Sequence, residues 1–258
     1  PMSNRPFRLS IIDYLNAAPL NYGFKHGLGY QYFHLRFQVP SVCSDHLRAG
    51  EVDAGLISSI EYLRIPDVRI VPGLCIASPK RVRSVLLLSK VPPEAIRRLA
   101  LDVSSRTSVA LAQILLRERY GAIPELQVMP PDLEHMLSQQ DAALLIGDPA
   151  MKAPKVGLFT LDLAEEWHGW TGLPFVFALW AVREDAPELP VPGGVVPFFQ
   201  RSLEQGRTNL DTIVEEAWRT IGWTKLELKE YLTENIHYHL GEAERTSLEL
   251  FYEKALRH

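Results

Sequence analysis

Residues 99–108 read Leu99-Ala100-Leu101-Asp102-Val103-Ser104-Ser105-Arg106-Thr107-Ser108, a short apolar run that stops on a cluster of hydroxyls and one arginine. A helical pattern follows at once, from Val109 to Tyr120, and ends on Gly121. The order is strand, tight turn, helix N-terminus. The first N–H groups of a helix have no partner within it, so they face outward as donors. Hydroxyls and a guanidinium beside them make the turn suited to a carboxylate or a phosphate. The stretch therefore predicts an α/β unit with a small-anion cradle at the carboxyl end of its strand.

Similar apolar runs lie on either side: Arg8 to Asp13, Val52 to Ile57, Ser84 to Leu88, Ala142 to Ile146 and Val176 to Val182. They are nearly continuous in Val, Ile, Leu and Ala rather than alternating, which suits strands buried on both faces. Helical patterns between them, such as Ser44 to Ala49 ahead of Gly50, complete an α/β class with parallel strands. Two segments echo each other, Asp53-Ala-Gly-Leu-Ile-Ser and Asp141-Ala-Ala-Leu-Leu-Ile-Gly-Asp, as two similar halves would. The last third differs. Pro187 to Pro197 reads as a loop. Helical patterns then cover Phe198 to Gln205, Leu210 to Ile221, Lys225 to Glu234 and Glu242 to Leu256. In the last of these, Leu248, Phe251, Tyr252 and Ala255 share one face.

The 258 residues suit one large domain or two lobes, and 47% hydrophobic content supports a sizeable core. A net charge of −4 with no long basic run argues against a nucleic-acid partner. No run approaches the roughly 18 apolar residues of a membrane span. The opening Pro1-Met2-Ser3-Asn4-Arg5-Pro6-Phe7-Arg8 has no apolar signal core. Cys43 and Cys75 are isolated, which fits a reducing compartment. The expectation is a soluble cytoplasmic protein.

In open α/β sheets, ligands bind beyond the carboxyl ends of the strands. Small hydrogen-bonding residues recur there: Tyr14 and Asn16, Ser58 and Ser59, Ser105 to Ser108 with Arg106 and Thr107, Gly147 and Asp148. Arg83 and Ser84 sit at the start of another strand. Each residue has an alternative, structural reading. Asn16, the serines and Asp148 also serve as helix caps or turn residues, and Arg83 as a solvated surface charge. Their recurrence at strand ends is what favours a site. Metal signatures are absent: no His-Glu-x-x-His, no paired cysteines. His237-x-His239 falls in a helical or turn region, where such side chains diverge. Gly-x-Gly-x-x-Gly, Walker and Gly-x-Ser-x-Gly patterns are also missing, so neither a nucleotide cofactor nor a serine nucleophile is indicated.

Four motifs, in order, resemble those of the chorismate dehydratase family of the futalosine route to menaquinone. They are Tyr14-Leu15-Asn16 with Pro19-Leu20, Ser105-Arg106-Thr107-Ser108, Ile146-Gly147-Asp148 and Thr171-Gly172-Leu173-Pro174-Phe175. A sister enzyme of the pathway, 1,4-dihydroxy-6-naphthoate synthase, shares the fold but carries a Ser-Pro-Cys-Pro-Asn-Asp type motif near its start. This chain has Tyr14-Leu15-Asn16-Ala17-Ala18-Pro19 there. The resemblance implies a fold like type 2 periplasmic binding proteins, with two lobes joined by two crossover strands near Ser84–Ser89 and Phe177–Val182. Residues 1–87 and 178–258 would form lobe 1, with the helical tail packed on it, and residues 88–177 lobe 2.

The implied reaction converts chorismate into 3-[(1-carboxyvinyl)oxy]benzoate and water, with no cofactor and no metal. Asn16 and Ser84 carry over as catalytic. Tyr14, Ser58, Ser59, Arg83, Ser105, Arg106, Thr107, Ser108, Gly147 and Asp148 carry over as substrate-binding. These residues are mostly amides and hydroxyls, so the substrate's own enolpyruvyl carboxylate is the expected base, oriented by Asn16 and Ser84. The competing expectation is a non-catalytic solute-binding protein of the same fold that holds a small anion.

Overall fold

The computed structural model describes residues 5–258, so the first four residues of the stretch read for a leader lie outside the described residues. The chain enters through β1 (Phe7–Ile12), β2 (Phe33–Gln38), β3 (Ala54–Ser58), β4 (Val68–Ile70) and β5 (Leu74–Ser78), which build one sheet. It crosses into a second sheet made of β6 (Val85–Ser89), β7 (Arg98–Leu101), β8 (Glu125–Val128), β9 (Ala142–Ile146) and β10 (Phe159–Asp162). It returns to the first through β11 (Phe175–Arg183) and, near the end, β12 (His237–His239). The helices are α1 (Ala18–Lys25), α2 (Pro40–Arg48), α3 (Arg106–Tyr120), α4 (Leu133–Gln139), α5 (Asp148–Lys152) and α6 (Leu163–Thr171). A C-terminal block adds α7 (Val196–Thr208), α8 (Leu210–Ile221), α9 (Lys225–Glu230) and α10 (Glu242–Arg257).

The echo between the two aspartate segments is structural. β1 lies between β2 and β3, parallel to both, and β7 lies between β8 and β9, parallel to both. Asp53 precedes the outer parallel strand of one triplet and accepts the Arg8 N–H at 2.8 Å. Asp141 precedes its counterpart and accepts the Arg97 and Arg98 N–H groups at 2.9 Å. A carboxylate tying two parallel strands at their amino ends is thus used twice.

Not every strand is parallel, as the apolar runs had suggested. β6 runs antiparallel to both β9 and β10, and β11 runs antiparallel to β3, β4 and β5. These are the strands through which the chain enters the second sheet and re-enters the first. Each is completely buried apart from Arg183, so continuous hydrophobicity reports burial on both faces without reporting direction. His237 and His239 lie on β12, on the edge beside β5, rather than in a helix or turn. Among the described residues, no cluster of His, Cys, Asp or Glu has the makings of a metal site.

The tail is anchored on the first half by close packing of α7 against α1. A Cβ on Gly206 would lie 2.1 Å from the Pro19 carbonyl, so only glycine permits the approach. The tail does not rest on that half alone. Trp223 Nε1 donates to the Met151 carbonyl at 2.8 Å, and Ser247 Oγ accepts from Trp167 Nε1 at 3.0 Å. It therefore spans both sheets.

Candidate active site

The carboxyl ends of both parallel triplets point at one another. A cavity of about 20 Å³, room for about one water, lies between them, far below the roughly 300–1,000 Å³ usual for small-molecule sites, so the two halves must part to admit a ligand. Ile12, Ile76, Val85, Ile146 and Phe177 make its apolar walls, and Tyr14, Asn16, Ser58, Ser105 and Ser108 supply its polar groups.

Each polar group is placed by a local rule. Ser105 is the N-cap of α3, where its Oγ accepts from the Ser108 N–H at 3.3 Å and meets Ser108 Oγ at 3.0 Å. Gly121 closes the other end of α3 in the left-handed conformation, as the sequence indicated. Asn16 sits in a single 3-10 turn, Leu15–Ala17, directly before α1. Its Oδ1 is buried and takes no hydrogen bond from the described residues. A buried amide oxygen without a donor is costly, so it marks a place where a ligand donor would be stabilised.

The two sides are held shut by direct bonds. Tyr14 Oη donates to Ser104 Oγ at 3.0 Å, and the Ser41 N–H donates to the Ser104 carbonyl at 2.8 Å. The Leu15 N–H donates to Asp148 Oδ1 at 3.0 Å, and the Ile60 N–H to Thr107 Oγ1 at 2.9 Å. Ser58 Oγ reaches Ser105 Oγ at 3.5 Å. Burial, with the nearby Asp102 and Asp148 charges, pushes the Tyr14 phenol up to about 12 against the opposing bond to Ser104, so it stays neutral at physiological pH. Burial likewise raises Asp148 and Asp102 above the ordinary carboxylate range.

Several residues expected at the ligand have other partners. Arg106 turns outward and pairs with Asp45 at 2.9 and 3.1 Å, with Glu61 3.6 Å away. Two carboxylates of the opposite half hold that guanidinium. Arg83 lies over the Trp223 ring at 4.2 Å and reaches Glu227 at 3.5 Å, outside the cavity. Ser59 donates to the Val176 carbonyl at 2.8 Å, and Thr107 Oγ1 faces it at 3.3 Å. Ser84 is fully buried, with its Oγ 2.5 Å from Tyr231 Oη, and does not line the cavity, although its neighbour Val85 does. Asp148 borders a neighbouring open pocket of about 220 Å³ rather than the cavity. That pocket also carries Asp13 and Glu216 beside Lys25 and His26, so its acidic side chains outnumber its one lysine and disfavour an anion. Ser104, read as part of the hydroxyl cluster, bonds Tyr14 and Ser41 across the cleft, whereas Ser41 and the tail tyrosines escaped sequence reasoning. Nothing local marks a carbonyl or a buried phenol whose partner is far along the chain.

A family profile described as Menaquinone biosynthesis matches residues 7–257. A chorismate dehydratase of Thermus thermophilus is 36% identical over 267 aligned positions, which cover 96% of this chain and 95% of that one. Among solved structures, a protein of Archaeoglobus fulgidus superimposes with a TM-score of 0.77 at 21% identity, covering 98% of this chain and 97% of its own. The periplasmic aliphatic sulphonate binding protein of Escherichia coli superimposes with a TM-score of 0.61 at 13% identity, covering 98% and 89%. At such identities the likeness is one of fold, that of the periplasmic binding proteins.

Proposed function

The chain belongs to the menaquinone biosynthesis family, and from that premise we propose that it is a chorismate dehydratase, a hydro-lyase that forms 3-[(1-carboxyvinyl)oxy]benzoate and water. The observation that carries the reading is the chain-long similarity to the Thermus thermophilus dehydratase. The cavity supports it, since an unpartnered amide oxygen and a capped helix N-terminus line the same space. Residues 5–87 and 178–258 act as one lobe and residues 88–177 as the other, with Trp223 and Ser247 of the tail also bracing the second. The two buried, unpaired cysteines accord with a cytoplasmic setting.

The reaction moves one proton and one hydroxyl. The proton leaves ring carbon C3, and the electron pair delocalises toward the ring carboxylate. The hydroxyl departs from C4 as water, and the new double bond completes the aromatic ring. Among the cavity's lining residues only Tyr14 titrates, and its raised phenol is a neutral donor rather than a base. The base is therefore the substrate's enolpyruvyl carboxylate, which takes the C3 proton and passes it to the leaving hydroxyl. Asn16 orients this exchange, with its Oδ1 accepting from the substrate hydroxyl. Ser105, Ser108 and the start of α3 hold the ring carboxylate, and stabilise the charge that develops on it. Ser84 acts from the joint between the two sheets once the lobes part and the substrate enters. Arg106 and Arg83 serve closure and the joint rather than the substrate.

Incubation with chorismate tests the reading. The diene absorbance should fall as an aromatic product appears, and Asn16→Ala should lower kcat on the order of 100-fold. An analogue lacking the enolpyruvyl carboxylate charge should bind and stay intact. A chorismate pool that remains unchanged while binding is measurable would leave a solute-binding protein instead.

A further inference from the structure

The C-terminal block touches the site from behind, and it does so each time with a tyrosine hydroxyl. Tyr231, fully buried in the π-helical turn Tyr231–Asn235, places its Oη 2.5 Å from Ser84 Oγ. Tyr238, on β12 and 5% exposed, donates to the Asn16 carbonyl at 2.7 Å. Tyr252, on α10, donates to the Ser59 carbonyl at 2.7 Å. The three targets lie on three different turns: Asn16 lines the cavity, and Ser59 and Ser84 adjoin the lining residues Ser58 and Val85.

Asn16 and Ser59 both lie in 3-10 turns that follow strands β1 and β3. A phenol from the tail ties each of these turns down at its carbonyl. At Ser84 the bond is between side chains, and it fixes the direction of the serine hydroxyl. It also lies at the passage between sheets, one residue after Arg83, whose φ of 64° is a left-handed conformation rare for a non-glycine residue. Trp223 backs the same point. It meets the Tyr231 ring edge-on, with centroids 5.7 Å apart, and carries the Arg83 guanidinium on its face. The block thus grips both the connection between the sheets and the turns on the first sheet.

We propose that Tyr231, Tyr238 and Tyr252 are positioning residues for the dehydration. They set the Ser84 hydroxyl, the Asn16 turn and the Ser59 turn in the geometry that the reaction requires. This rests on the reading of Asn16 and Ser84 as the reacting site. Elimination depends on alignment of the breaking bonds, and misplacement of a turn by a fraction of an ångström is felt in kcat before binding.

The test is a set of Tyr→Phe variants that remove one oxygen each and keep the ring. Tyr231→Phe and Tyr238→Phe should lower kcat about tenfold, with KM for chorismate within about twofold. Tyr120→Phe is the control for loss of a tyrosine hydrogen bond away from the cavity, since its hydroxyl donates to Glu166 on α6. It should keep kcat. In a Ser84→Ala background, Tyr231→Phe should cost nothing further, because the bond it removes is already gone. Tyr252 is only half-buried, so Tyr252→Phe keeps the test available where a buried variant fails to fold. Kinetic effects no larger than those of Tyr120→Phe, or full additivity of the Ser84→Ala and Tyr231→Phe losses, would overturn the proposal. Wild-type protein inert toward chorismate would remove the dehydratase reading and this proposal together. Active wild type, inactive Asn16→Ala and fully active tyrosine variants would overturn this proposal alone.

Discussion

Gly147 stands at φ 66° and ψ −143°, a region essentially closed to side chains. A Cβ there would lie 2.7 Å from the Tyr14 ring. Backbone and packing thus demand glycine independently at the point where the two halves meet. Gly147→Ala should destabilise the protein by about 1–3 kcal/mol and displace Tyr14 from Ser104. Thermal denaturation and kcat measured together check it, and an unchanged Tm with full activity would contradict it. In sequence, Gly147 reads only as a residue after an apolar run. Its motif carried it into the candidate site, but the reason for glycine is a ring more than a hundred residues away. Asn16 shows the converse. Its polarity was visible, whereas the unpartnered state of its Oδ1 depends on everything folded around it.

At the scale of elements, the aspartate ahead of each outer parallel strand works as a tie. Burial pushes Asp53 up, but hydrogen bonds from Arg5, from the Arg8 side chain and from the Arg8 N–H outweigh it and hold the carboxyl at about 2. An unfolded aspartate titrates near 3.9, so the folded state favours the ionised form. The stabilisation is complete above the unfolded value and is lost as pH falls through the folded value. It amounts to roughly 2–3 kcal/mol. Denaturant titrations of wild type and Asp53→Asn should show a constant gap above pH 5 that narrows as pH falls from about 4 toward 2. A gap independent of pH would contradict the tie. The sequence echo revealed these two elements because the tie, the strand and the turn are contiguous. The strands that were overlooked lack such a signature. β8 is exposed along its whole length, β2 mixes apolar and charged residues, and β5 is five residues between Gly73 and Pro79. Their strand character comes from neighbours supplying the ladder.

For the whole molecule, the closed cleft is a balance of small contacts. Arg106 with Asp45 is a latch at the rim, roughly a third exposed on one side and half on the other. Pairs this exposed contribute about 0.2–1 kcal/mol. Arg106→Gln should therefore raise KM for chorismate by no more than about fivefold and leave kcat in place, with a small increase in radius of gyration by X-ray scattering. A loss of 100-fold or more would mean that the guanidinium holds the substrate carboxylate directly. Opening is also constrained by the tail. Trp223, Tyr231 and Ser247 bind residues of the passage and of the second sheet, so the two halves do not swing as freely as two lobes on bare strands.

By itself the sequence determined the α/β class, the buried strands, the helical tail and the order of polar turns at strand ends. Hydrophobic runs, caps and glycine stops act over a few residues and leave a local imprint. Four spaced motifs also sufficed to indicate the family. Tertiary structure alone decided which polar residues face the cavity and which serve the protein. Ser105 and Arg106 are adjacent in the chain, yet one caps a helix at the cavity and the other pairs with Asp45 outside it. Tyr231, Tyr238 and Tyr252 look like core aromatics in sequence, and only the fold brings their hydroxyls to Ser84, Asn16 and Ser59. A side chain's direction and partners follow from how distant segments pack. That information is held by the assembled chain rather than by any stretch of it.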